Sequence, residues 1–321
     1  MPGIRSIACC LTLGVGVVAQ STSEIRDDLR EQVRGVRYGA FLTAFLGLAE
    51  EAQLSGARFR LDGDPDTSFT VTTLPLRRDF DLGAGLPQLR FEGDLGYVRA
   101  RFDVDDIYRG SAPSIATRVT SVYEAIGGVA GVGPVFEADG WRITPLVLAG
   151  LAHVDNDTDY GGPGAASTRA VTDGILFNWD STWFSYGAAI GAESPTYHLG
   201  EVELVGKARL DYRHVRSLQT DDPAEADQED QGWLSLRADA EGPMHVDLFD
   251  RELRWTGSLG YKRFLRDGEE LLGFDDYFQV GVGALWDCSE LVPVLHRVGL
   301  NVSFLYGENV QGWTFGGLFR F

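Results

Sequence analysis

Apolar and polar residues alternate with a period of two from residue 55 onward. The pattern predicts strands over 55–61, 68–82, 86–104, 118–136, 141–152, 173–192, 200–213, 231–241, 252–264, 274–287, 293–306 and 311–321. Strand 200–213 is the clearest. Val202, Leu204, Gly206, Ala208, Leu210 and Tyr212 form one face, and Glu201, Glu203, Lys207, Arg209, Asp211 and Arg213 form the other. Neither a sandwich core nor lipid accepts so many ionisable groups, so the charged row must meet water or paired partners. Strand 252–264 sets Leu253, Trp255, Gly257, Leu259 and Tyr261 against Arg254, Thr256, Ser258 and Lys262. In strand 86–104, Leu89, Phe91, Gly93, Leu95 and Tyr97 are in step, whereas Val98, Ala100 and Phe102 are one residue out. A β-bulge near Tyr97 is the expected repair.

The last strand alternates to its end, with Trp313, Phe315, Gly317, Phe319 and Phe321 on one face. Large aromatics on a terminal strand need a sheet or a membrane to cover them, and an outer-membrane barrel meets that need with lipid. Twelve is an even number, as a barrel with both ends on one side requires, and most strands reach the ~9–11 residues that cross hydrocarbon when tilted. With Phe321 inward, the outward loops are 62–67, 105–117, 153–172, 214–230, 265–273 and 307–310. The inward turns are 83–85, 137–140, 193–199, 242–251 and 288–292. The two longest connections, 153–172 and 214–230, are both outward, as this barrel class has them. Turn 242–251 fits least well, because Met244, Val246, Leu248 and Phe249 suggest a continuing strand. The expected fold is therefore all-β: a twelve-stranded antiparallel transmembrane β-barrel spanning 55–321, with an N-terminal helical segment at 20–54.

Residues 1–19 read as a signal peptide, with Arg5, an apolar run from Ile7 to Val18, and a cleavage site at Val17-Val18-Ala19. Beyond residue 19 no stretch approaches the ~20 apolar residues of a membrane-spanning helix. Within 24–37, Ile25, Leu29, Val33 and Val36 have helical spacing, and Tyr38, Phe41, Leu42, Phe45 and Leu48 continue it. Such a helix would lie in the lumen, plug the inward mouth or pack outside.

A formal charge of -19 argues against nucleic acid, which needs clustered Lys and Arg. Forty glycines suit tight turns and crowded inner faces. Cys9 and Cys10 fall in the leader, leaving Cys288 without an intramolecular disulfide partner.

The lumen row expected from the alternation is Arg90, Glu92, Asp94, Glu201, Glu203, Lys207, Arg209, Asp211, Arg213, Arg254, Lys262 and Arg320. It is either a conduit selecting solutes by sign or a set of pairs holding the interior shut. Asp155-Asn156-Asp157-Thr158-Asp159 resembles the start of a calcium loop, but Tyr160 replaces the needed glycine and no closing glutamate follows. His153, Asp155 and Ser167 are the nearest approach to a hydrolytic set, and no nucleotide loop or metal cluster accompanies them. No cofactor and no enzymatic role is expected.

The helix, the twelve strands and the aromatic strand ending in Phe321 together resemble autotransporter-type outer-membrane barrels, and specifically the solitary autotransporter-like group, in which no passenger remains. The resemblance implies a monomer in the outer membrane of a Gram-negative bacterium. Its partners would be outer-membrane lipid, lipopolysaccharide and the barrel assembly machinery, with Trp313, Phe315, Phe319 and Phe321 serving assembly. The expected role is a narrow pore or a structural membrane component. The alternatives are a lipid hydrolase, or a surface-binding barrel using loops 153–172 and 214–230.

Overall fold

A computed structural model describes residues 21–33, 54–61, 68–105, 117–222, 226, 228–248, 251–266, 274–289 and 296–320. The expected leader and the helical positions beyond Val33 lie outside the described residues. The helix α1 spans Thr22–Val33 and the strands begin with β1 (Leu54–Leu61), β2 (Ser68–Phe80), β3 (Gln88–Asp105), β4 (Arg118–Ala138) and β5 (Trp141–Gly161). A second helix, α2 (Ala165–Thr172), precedes β6 (Trp179–Glu193), β7 (Tyr197–Leu199), β8 (Val202–Thr220) and β9 (Gln228–Asp247). The chain closes with β10 (Glu252–Arg266), β11 (Asp276–Asp287), β12 (Arg297–Gly307) and β13 (Val310–Arg320).

These strands form one antiparallel sheet in the order β6-β5-β4-β3-β2-β1-β13-β12-β11-β10-β9-β8-β7, with β6 also pairing directly with β8. The expected closed cylinder of twelve strands is corrected by this arrangement. Among the described residues there are thirteen strands, and the short β7 pairs with β8 alone, so the wall has an open edge beside it. The cause is local. Ser194-Pro195-Thr196 interrupts the path from β6 to β7, and Pro195 has no N–H to give a ladder. The Gly206 N–H donates to Ser194 Oγ instead, at 2.8 Å.

Two further expectations change. No bulge occurs in β3, whose register with β2 and β4 runs without a shift through Tyr97. The expected loop 153–172 is largely strand and helix, because β5 continues to Gly161 before α2 begins. The register shifts sit elsewhere, between Thr182 and Trp183 and between Leu253 and Arg254, and at the latter β9 extends through Asp247 and occupies much of the turn expected at 242–251. At the β4–β5 hairpin, Asp139 and Gly140 both have positive φ, 50° and 80°, which a tight two-residue turn demands and an Asp-Gly pair permits.

The outer face is apolar over a belt and polar beyond it. Ile126, Val147, Leu151, Val282 and Leu300 are all more than half exposed. On β4 and β5 the belt runs from Phe136 to Ile126 and from Trp141 to Leu151, and Glu124, His153 and Asp155 follow on the same faces. Each run matches the ~9–11 residues of a strand crossing hydrocarbon. Among the described residues no helix is long and apolar enough to cross a membrane.

The β5–β6 and β8–β9 connections share one end, the outward end, and α1 docks there. Leu29 is buried with Val119, Ile175, Leu176 and Phe177. Arg26 Nη1 donates to the carbonyls of Ala170 and Val171 at 3.1 and 3.3 Å, near the C-terminus of α2, where a cation is favoured. Arg30 Nε donates to the buried carboxylate of Asp222 at 2.8 Å. Ser21 and Glu24 close a reciprocal capping box. The Ser21 N–H donates to Glu24 Oε2 at 2.7 Å and the Glu24 N–H to Ser21 Oγ at 3.3 Å.

Candidate functional site

The inner face has two storeys. Toward the inward end, alternation on β2, β3, β5 and β8–β10 turns charged side chains inside, and opposite charges meet them. Arg90 Nε and Nη2 donate to the two oxygens of Asp79 at 2.7 and 2.8 Å, and Arg142 Nη2 donates to the same carboxylate at 2.6 Å. Arg209 donates to Asp211 on its own strand at 2.8 Å and also reaches Glu92. Glu92 lies on β3 and Arg209 on β8, which do not pair, so the sheet curls until its inner faces touch. Lys207 Nζ and Arg237 Nε share Asp239 at 2.8 and 2.6 Å. Arg254 and Arg297 share Glu241 at 2.6 and 2.5 Å, and Arg254 also reaches Glu203 at 3.3 Å. These are two-to-one and one-to-two groupings: Asp79, Asp239 and Glu241 each hold two cations, and Arg209 and Arg254 each reach two carboxylates. That is the condition under which charges tolerate desolvation.

The outward storey is apolar. Phe69, Val98, Tyr123, Val154, Trp183, Val215, Trp233, Phe264, Tyr277, Leu305 and Val310 belong to one buried cluster. Every strand from β2 to β13 except β7 contributes to it. Its rings meet edge to face: Phe69–Phe102 at 5.7 Å, Phe102–Tyr123 at 5.5 Å and Phe264–Phe274 at 5.5 Å between centroids. The phase change in the sequence of β3 now has its cause. Arg90, Glu92 and Asp94 face inward in the charged storey, and Val98, Ala100 and Phe102 continue the same inward row in the apolar one. On β8 the switch falls between Arg213 and Val215, both buried.

At the boundary Arg213 and Lys262 lie over the Trp233 ring, at 4.7 and 5.3 Å from its centroid. A cavity of about 30 Å³, lined in part by Thr73, Asp94, Trp183, Arg213 and Gln231, sits at the same level. It has room for about one or two waters.

Of the residues expected in the lumen, the structure brings Arg90, Glu92, Glu203, Lys207, Arg209, Asp211 and Arg254 into the charged lattice and sets Asp94, Arg213 and Lys262 at its upper edge. Glu201 stands apart, exposed before β8 begins and 3.4 Å from His245. The side chain of Arg320 lies outside the described residues, as do those of Phe319 and Phe321. Trp313 and Phe315 face outward, 62% and 58% exposed. Sequence reasoning passed over Asp79, Arg142, Glu241 and Arg297. The available signal was that each occupies the inward parity of its strand, and for Asp79 also that it stands opposite Arg90.

The other candidate sets are not assembled. Asp155, Asp157 and Asp159 alternate along the extended β5 instead of curling around an ion, and among the described residues no group of His, Cys, Asp or Glu could hold a metal. His153 Nδ1 lies 3.3 Å from Thr182 Oγ1, while Ser167 Oγ donates to the Gly164 carbonyl in α2.

The family model described as "Solitary outer membrane autotransporter beta-barrel domain" matches residues 65–318. No curated protein matches the sequence. Among solved structures, the translocator domain of the autotransporter NalP from Neisseria meningitidis is similar at 12% identity and a TM-score of 0.46, over 94% of this chain and 100% of that one. The beta domain of the Bordetella autotransporter BrkA is similar at 13% identity and a TM-score of 0.46, over 84% of this chain and 99% of that one. The transport unit of AIDA-I from Escherichia coli gives 12% identity and 0.46, over 90% and 99%.

Proposed function

Because this chain belongs to the solitary outer-membrane autotransporter β-barrel family, a non-enzymatic domain of the Gram-negative outer membrane, we propose that it acts as a structural membrane component rather than a conducting pore. The observation that carries this reading is the buried cluster running from Phe69 to Val310. Wide conduits keep a wet, polar interior, whereas here aromatic rings from opposite walls occupy the space. The charged row then serves as a lattice of mutual partners and not as a selectivity filter. Arg90, Glu92, Lys207 and Arg209 each find their counterion inside the protein, which leaves little field for a passing solute. Lipid, lipopolysaccharide and the barrel assembly machinery are the proposed partners, with Trp313 and Phe315 presented to the bilayer for insertion.

Single-channel recording in a planar bilayer tests the proposal. Verified folded protein is expected to give no stepwise current, and none after deletion of residues 20–50, since the interior is filled by strand side chains. Stepwise conductance of the full chain would overturn it and return the charged row to a filter. Current appearing only after the deletion would make the N-terminal segment a plug and would equally overturn the sealed interior.

A further inference from the structure

The outer face is not uniform at the upper edge of its apolar belt. Over β4–β6 it carries Glu124, Asp155, Asp157 and Asp180. Over β8–β10 it carries Arg216, Arg266 and His214 among the rings of Phe184, Tyr186 and Tyr212. The Arg216 guanidinium lies 5.7 Å from the centroid of Phe184 and that of Arg266 lies 5.5 Å from Tyr212. Among the described residues the one acid within this group, Asp230, is already engaged. It accepts from Tyr212 Oη at 2.8 Å, stands 3.0 Å from His214 Nδ1 and is 3.8 Å from Arg266. Arg216 has no carboxylate partner among the described residues, and in a chain of net charge -19 that is conspicuous.

From this arrangement we infer that the β8–β10 wall binds the phosphorylated sugar headgroup of an outer-leaflet glycolipid, with Arg216 and Arg266 as its phosphate ligands. Aromatic side chains concentrate where headgroups lie. A guanidinium resting on a ring is oriented by it and keeps its in-plane N–H donors, so Arg216 is open to a phosphate, and at Arg266 the phosphate would compete with Asp230, 3.8 Å away. Gly232 sits between Tyr212 and Leu265 in the register, and Arg266, with a positive φ of 58° at the end of β10, lies beside Tyr212. Inward of Gly232 the outer face is apolar, with Leu236 beside Ala208 and Leu259 beside Ala238 across β8, β9 and β10. That surface suits acyl chains attached to the same headgroup. The acidic β4–β6 wall would repel a phosphate at the same height, so the occupant has one side to choose.

The inference rests on the outer-membrane placement, and its test separates the two. Full-length folded protein in neutral detergent is titrated with purified lipopolysaccharide, read by native mass spectrometry, and its heat-modifiable mobility is followed in parallel. Wild-type protein is expected to prefer lipopolysaccharide to phosphatidylglycerol and to lose affinity about tenfold when the glycolipid phosphates are removed enzymatically. Arg216→Ala with Arg266→Ala is expected to produce a similar loss, and Asp155→Asn with Asp157→Asn none. Indifference of wild-type protein to phosphate removal, equal binding of phosphatidylglycerol, or displacement by millimolar inorganic phosphate would each overturn the inference without needing any variant to fold. Unaltered affinity in the double arginine variant with normal heat-modifiability would overturn it too. A wild-type chain that never becomes heat-modifiable would instead count against the membrane barrel itself.

Discussion

The two storeys of the inner face solve the same packing problem with opposite chemistry. In the inward storey, long charged side chains fill the space and satisfy one another. In the outward storey, rings fill it, and apart from their indole N–H and phenol O–H groups they are held by packing. A polar lattice loses little when one member is removed and its neighbours keep alternatives, whereas a ring removed from a close-packed cluster leaves a void that nothing replaces. The comparison therefore says that rigidity and closure reside mainly in the outward storey, and that the inward storey tolerates single losses.

The largest test strikes the rings. Trp183 is 2% exposed, and its Nε1 donates to Ser181 Oγ at 2.8 Å within the cluster. Trp183→Ala is expected to destabilise the folded domain by ~3–5 kcal/mol, read as a lower temperature for loss of heat-modifiable mobility. A change below that of the arginine variant described next would invert the ranking of the storeys. The same substitution borders the cavity between the storeys, so it is also the variant in which current leakage should first appear.

Arg90→Met probes the lattice. Arg90 is 4% exposed and donates to Asp79 and Thr144, but Asp79 keeps Arg142 at 2.6 Å. The carboxylate is thus not stranded, and the expected cost is ~1–3 kcal/mol. Adding Arg142→Met should cost more than the sum of the single changes, because only then does Asp79 lack a cation. Simple additivity in that double-mutant cycle would mean that the lattice is a collection of independent pairs.

How much of this was legible follows from which residues change face and why. The outer belt could be read directly, since Leu204, Leu210 and Leu259 alternate with charges and lipid rewards that contrast. The storeys could not. Val98, Ala100 and Phe102 break the alternation of β3 in the way a bulge would, and only the unshifted register with β2 and β4 reveals that the environment changed instead. On β5 beyond Val154 both faces are polar, with Asp155 and Asp157 outside and Asn156 and Thr158 inside, so periodicity carries no signal and a strand reads as a loop. Ile175, Leu176 and Phe177 mislead in the opposite sense. They look like the start of a strand, yet they form a turn buried against Leu29. Pro195 did mark a break, but the free edge at β7 depends on what β8 pairs with, which lies outside any local window.

The smallest effect sharpens the boundary of the outward storey by asking whether α1 belongs to it. Trp179 Nε1 donates to the Leu176 carbonyl at 3.1 Å, which ties the ring cluster to the small core that holds Leu29. At the other end of α1 the Ser21 backbone N–H and hydroxyl hold the fully exposed Glu24 carboxyl below its ordinary value of 4.5. A depressed carboxylate stabilises the helix above its unfolded pKa and loses that contribution as pH falls through the folded one. Amide exchange in residues 22–33, normalised for intrinsic rates, should therefore be slower in wild type than in Glu24→Gln at pH 7, with the difference fading as the pH falls below 4.5. If protection around Trp179 follows that of the helix, the cap and the rings open as one unit. If the helix loosens alone, the outward storey ends at the ring cluster and α1 is a separable cover.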